Sequence, residues 1–264
     1  MDLRSTTVGR VGALEDTAGK SRRTELAGNL RAVRARLAAA CAEAGRDADE
    51  VTLVAVTKTR PAVDVVHLAA LGVPDIGENR DQEAAPKAAE VAATGTQVRW
   101  HFVGKLQRNK CGSVVRYADM VHSVDSVRLA ATLAEAVHRH RERPIDVLVQ
   151  VSIDGDPARG GAVTVVNQGH EPTEENIALD RVLARVAAAD GLTLQGLMAV
   201  APLGWEPARA YETLAEIVAG VRRDYPSCTV LSAGMSDDFE AAIGYGATHV
   251  RVGSALLGNR PTLM

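Results

Sequence analysis

The stretch LVAVTK, Leu53 to Lys58, runs four apolar residues into a threonine and ends on an amine. An apolar run without alternation is the pattern of a strand covered on both faces, as in parallel sheets. Lys58 then stands at the C-terminal end of that strand, where parallel α/β folds assemble their binding sites. An amine there is either a solvated strand end or a nucleophile. Two later stretches bear on the choice: VLSAGMSDD carries Gly234 and Ser236, and RVGSALLG carries Gly253 and Ser254. Glycine permits close backbone approach and serine adds a hydroxyl at a helix start, so both loops suit a phosphate. The alternative is that Ser236 and Asp237 simply cap a helix over 237–244. Arg251 lies two residues before Gly253 and by strand alternation points the same way. A pyridine nitrogen could accept a hydrogen bond from that arginine while Lys58 forms an imine with an aldehyde on the same ring.

These residues need a scaffold that gathers several strand ends in one place. Leu26, Leu30, Val33, Leu37 and Cys41 form a helical stripe from Thr24 to about Gly45. After it, short Val/Ile/Leu-rich runs near 51–57, 74–77, 98–103, 120–124, 145–153, 192–200, 228–232 and 248–252 alternate with amphipathic stretches. Eight strand–helix units predict an α/β fold of the (β/α)8 TIM barrel type, carrying an extra N-terminal helix. A doubly wound open sheet is the alternative, but no strand is followed by G-x-G-x-x-G. In the barrel, the second strand delivers Asn79 to the mouth, and the third delivers His101, Gln107, Asn109 and Lys110.

Composition narrows the function classes. With 30 basic and 33 acidic residues the net charge is −3, which offers no general grip on nucleic acid or an anionic membrane. Arg99, Lys105, Arg108, Lys110 and Arg116 form a local basic cluster, but its aromatics, Trp100 and Phe102, read as packed strand residues. Three widely spaced cysteines fit free thiols in a reducing cytoplasm. Residues 1–23 read as a flexible polar tail without a signal-peptide core, and 24–264 as a single domain. The GKS at Gly19 to Ser21 lacks the first glycine and the strand of a phosphate loop. No histidine pair has metal-ligand spacing. One long irregular stretch follows Asp154.

Taken together, VAVTKTRP, IGENRDQE, WHFVGKLQRNK, GLMAV and LSAGMSDDFEAAIGYGATHVRVGSALLG resemble the pyridoxal phosphate homeostasis protein family, from about Leu26 to Gly258. These are single-domain relatives of the alanine racemase N-terminal barrel. The resemblance implies pyridoxal 5'-phosphate (PLP) joined to Lys58, its ring nitrogen facing Arg251, its phosphate held by Ser236, Gly253 and Ser254, and Asn79 near the ring. Arg80 departs from the family, in which many relatives have an aromatic residue there, and Arg159 stands where a lysine is common. The function implied is a non-catalytic one, buffering PLP or delivering it to apo-enzymes, by a monomer or weak homodimer. The alternative is an amino-acid racemase. Racemisation needs a second base, which in the related racemases comes from an added domain and the partner subunit, and only ten residues follow Ser254.

Overall fold

The computed structural model describes residues 5–156, 160–164 and 177–258, with side chains from residue 19 onward. Eight parallel strands close a barrel in sequence order, the first pairing with the eighth. They are β1 (Thr52–Val56), β2 (Asp75–Glu78), β3 (Arg99–Phe102), β4 (Met120–Val124), β5 (Ile145–Val151), β6 (Leu192–Ala199), β7 (Val230–Met235) and β8 (His249–Val252). The helices are α1 (Ser5–Glu43), α2 (Ala62–Ala70), α3 (Asp81–Ala93), α4 (Cys111–Val114), α5 (Val127–His140), α6 (Leu179–Ala187), α7 (Pro207–Asp224), α8 (Phe239–Gly244) and α9 (Ser254–Leu257). The barrel and its extra N-terminal helix are those the alternating pattern predicts.

Strand alternation divides the side chains between two apolar regions. Ala55, Ile76, Val121 and Val147 face the helices and join two large clusters between sheet and helical shell. Met120, Leu148 and Met198 fill the barrel interior. Trp100 and Phe102 are buried against the helices, as their places on a strand suggest. β7 differs from expectation: the segment expected over 228–232 is a strand over Val230–Met235. Its SAG composition reads as loop, yet Ser232, Ala233 and Gly234 are all buried. Gly234 has φ +89, and a Cβ there would press on the Cα of Phe239 at 2.7 Å, so glycine alone lets α8 pack this closely.

α1 lies against α8 and α9. Leu26, Leu30, Val33, Leu37 and Cys41 are buried in one cluster with Phe239, Ile243, Leu256 and Leu257. The helix starts at Ser5, well before that stripe, so Gly19 to Ser21 are helical. Arg22 donates to the Asp64 carboxylate at 2.7 and 3.0 Å and to the carbonyl of Leu257 at 3.1 Å. Past β5, bridges pair Val151 with Ala162 and Val163 with Ala178. Arg159 and most of the long stretch after Asp154 lie outside the described residues. Cys41, Cys111 and Cys228 are free and buried. No described helix is long and apolar enough to cross a membrane, and no metal-type cluster occurs among the described residues.

Candidate cofactor site

A cavity of about 530 Å³ opens at the C-terminal ends of the strands, a size within the roughly 300–1,000 Å³ of small-molecule sites. Lys58, Asn79, Ser236, Arg251, Gly253 and Ser254 all line it. Strand parity explains the first: Val56 and Lys58 face the cavity, while Thr57 between them turns outward. There the Thr57 hydroxyl donates to Glu78 Oε1 at 2.6 Å, and Lys87 of α3 donates to the same oxygen at 2.5 Å and to the Thr57 carbonyl at 2.8 Å. This buried triad pins the strand end that presents Lys58. Burial raises the Glu78 carboxyl, opposed by the charge and hydrogen bond of Lys87. Thr59, next in the chain, holds φ +63, a conformation rare for a β-branched residue, and its N–H donates to Glu83 Oε2 at 3.0 Å.

Asn79 stands at the end of β2 with its Oδ1 buried and without a partner among the described residues. Its backbone packs on Gly104 so closely that any Cβ at 104 would collide with it. Arg251, 5% exposed, donates to Ser232 Oγ at 2.7 Å and to the carbonyl of Ala199 at 2.8 Å. Burial pulls its guanidinium down to about 10, leaving it charged near neutrality.

The two loops after β7 and β8 meet at Ser236. Its buried Oγ accepts from the N–H of Gly253 at 3.3 Å and from that of Ala255 at 3.4 Å. α1 braces both loops from behind: Arg36 donates to the Ser236 carbonyl at 2.9 Å and Asn29 to that of Leu256 at 3.0 Å. Asp238, not Asp237, takes the N-cap position of α8, and its carboxylate accepts from the Met235 N–H at 2.6 Å and the Tyr211 hydroxyl at 2.8 Å. Asp237 is exposed and lines the cavity rather than capping the helix.

Arg60 is a lining residue that strand-end reasoning passed over; only its place two residues after Lys58 could have signalled it. Val200 and Met235, 42% and 41% exposed, supply apolar wall. Three cations and one carboxylate line the cavity, a balance that favours an anion. The third strand departs from expectation. Val103 and Gly104 line the mouth, whereas Gln107 and Asn109 are exposed away from it and Lys110 lies 3.7 Å from Asp81. His101 points into the barrel interior, bonded to Asp75 at 2.9 Å. The basic cluster is dispersed: Arg99 lies 3.9 Å from Asp75, and Arg116 bonds the Gly112 carbonyl and His140.

The chain matches the family model described as alanine racemase, N-terminal domain, over residues 28–261. A Mycobacterium leprae protein named pyridoxal phosphate homeostasis protein is 45% identical, over 90% of this chain and 93% of its own length. The Escherichia coli K12 protein of the same name is 36% identical, over 89% and 97%. Among solved structures, PipY of Synechococcus elongatus PCC7942 with PLP bound superposes at TM-score 0.70 with 31% identity, covering 88% of this chain and all of that one. Alanine racemase from Corynebacterium glutamicum, 19% identical at TM-score 0.63, shares the fold. The chain belongs to the alanine racemase N-terminal domain family, among the relatives that carry the name pyridoxal phosphate homeostasis protein.

Proposed function

We propose that this protein binds PLP in the barrel mouth and buffers it or hands it to apo-enzymes, without turning over amino acids. The observation that carries the reading is that Lys58, Arg251 and the paired loops at Ser236 and Gly253–Ser254 line one cavity. The residues fit the molecule. Lys58 offers an amine for the aldehyde, Arg251 a buried donor for the ring nitrogen, and Ser236, whose oxygen accepts from the Gly253 and Ala255 amides, a hydroxyl proton for the phosphate. The buried, unpartnered Oδ1 of Asn79 offers an acceptor at the same wall. Val56, Val200 and Leu257 give the ring apolar contact. PLP bound to an amino acid supplies an electron sink that makes the α-proton acidic. Relatives of up to 45% identity bear the homeostasis name, and the PipY structure holds PLP in the same fold.

Binding without turnover is supported over racemisation by the homeostasis name that relatives of 36–45% identity bear. No histidine, tyrosine or cysteine is among the described lining residues, and the one carboxylate, Asp237, is exposed to water. The three buried free thiols support a reducing, cytoplasmic setting, and a monomer or weak homodimer suits a protein that hands on its cargo. PLP titration should raise a visible absorption band that borohydride abolishes, and mass spectrometry should then find the pyridoxyl group on Lys58. A label mainly on Lys105 or Lys110 would refute the assignment. With L-alanine in deuterated water, α-proton exchange should stay near the rate of free PLP. Rapid exchange lost in Lys58→Ala would establish the racemase instead.

A further inference from the structure

The barrel interior carries an unbroken polar chain that the cavity lining does not account for. It starts at Asp75 on β2, whose Oδ1 lies 2.9 Å from His101 Nε2. His101 Nδ1 lies 2.9 Å from His122 Nε2. His122 Nδ1 lies 3.0 Å from Ser232 Oγ, and that oxygen accepts from Arg251 Nη1 at 2.7 Å. His101, His122 and Ser232 are each 2% exposed or less, so the chain runs without solvent from one end of the barrel to the cavity.

We propose that this chain has a single direction, from Arg251 to Asp75, and that Ser232 and His122 are positioning residues that aim the Arg251 guanidinium at the ring nitrogen of the cofactor. The inference rests on the PLP reading above. One arrangement of protons satisfies every atom of the chain. The Asp75 carboxylate accepts, so His101 carries its proton on Nε2 and accepts at Nδ1. His122 therefore donates from Nε2 and accepts at Nδ1, and the Ser232 hydroxyl donates to it. Ser232 then turns its lone pairs toward Arg251. The opposite polarity would aim both His122 and Arg251 at Ser232 Oγ and leave the hydroxyl proton without an acceptor among the described residues, a cost that falls fully on a buried group. Burial keeps His122 neutral by holding its imidazole well below the usual histidine range, aided by the charges of Arg251 and Arg99. Burial raises the Asp75 carboxyl, but its hydrogen bond to His101 and the charge of Arg99 outweigh that and hold it low. His249 packs 6.2 and 6.4 Å from the two rings with its own Nδ1 turned to Thr248, outside the chain.

Ser232 and the Ala199 carbonyl together fix the guanidinium plane through two different nitrogens. Removing either Ser232 or His122 frees that plane to rotate, which a ring nitrogen would feel and a ring carbon would not. The test compares PLP with its analogue bearing C–H in place of the ring nitrogen, titrated into wild type, Ser232→Ala, Ser232→Thr and His122→Leu. Ser232→Ala and His122→Leu should lose about tenfold in affinity for PLP, the worth of one hydrogen bond to a charged donor. They should keep the affinity of wild type for the analogue, and Ser232→Thr should retain both. Equal losses for the two ligands would reduce the chain to a structural role and overturn the proposal. Nitrogen-15 NMR of the cofactor-free protein tests the polarity independently: His101 and His122 should both be protonated at Nε2 and bare at Nδ1, and a proton on His122 Nδ1 overturns it. A wild type that binds neither ligand would instead end the PLP reading, and the NMR result alone would then decide the direction of the chain.

Discussion

Ser236 Oγ accepts from the backbone N–H of Gly253 at 3.3 Å, so the hydroxyl that ends β7 holds an amide that begins the loop after β8. A phosphate arriving between these loops finds the Ser236 hydroxyl proton free to donate, its oxygen already held by the Gly253 and Ala255 amides. Ser236→Ala should weaken PLP binding about ten- to a hundredfold, the effect of losing roughly 1.5–3 kcal/mol of charge-assisted hydrogen bonding and preorganisation. Titrating pyridoxal, which lacks the phosphate, checks it. An equal loss for pyridoxal would show that Ser236 acts on the ring and not on the ester.

Beneath Lys58, the buried pair of Lys87 and Glu78 should be costly to break and cheap to replace as a unit. Lys87→Met leaves a buried carboxylate without its cation and should destabilise the fold by about 3–5 kcal/mol. Adding Glu78→Gln should recover most of that loss. Chemical denaturation of the single and double variants measures both, and additivity of the two substitutions would contradict the coupling.

Thr59 holds a left-handed conformation at φ +63. A β-branched residue there costs roughly 1–3 kcal/mol, and asparagine tolerates the region better. Thr59→Asn should therefore raise the melting temperature, since the bond to Glu83 comes from the backbone N–H and survives the change. A lowered melting temperature would mean that the threonine side chain contributes more than its backbone strain costs.

Acid should destabilise the barrel through His249. Burial pulls its imidazole from 6.5 down to about 4. The unfolded chain then takes up a proton below about 6.5 that the folded chain refuses until about 4, so stability is complete above that window and falls as pH drops through it. The loss is on the order of 3 kcal/mol for a shift of this size. His249→Gln should flatten the pH dependence of unfolding between those limits. An unchanged slope would assign the acid sensitivity to other groups.

The sequence by itself determined the barrel and placed six residues correctly at its mouth, though it also sent His101, Gln107, Asn109 and Lys110 there. Strand-forming runs are local, helical stripes such as Leu26 to Cys41 are local, and in a parallel barrel every strand ends at the same face. Lys58, Asn79, Ser236, Arg251, Gly253 and Ser254 could therefore be gathered without coordinates, because each sits at or just beyond a strand end. The extent of β7 was not legible, since Ser232, Ala233 and Gly234 look like loop until both faces are seen to be covered. Only the tertiary structure decided what stands behind the mouth. His122 and Ser232 are 110 residues apart, and their meeting depends on which strand faces which across a closed interior. No period in the chain encodes that pairing. Nor does any local pattern announce that Arg36 and Asn29 of α1 would hold the carbonyls of Ser236 and Leu256. Those bonds follow from where the helix packs, which its apolar face permits but does not specify.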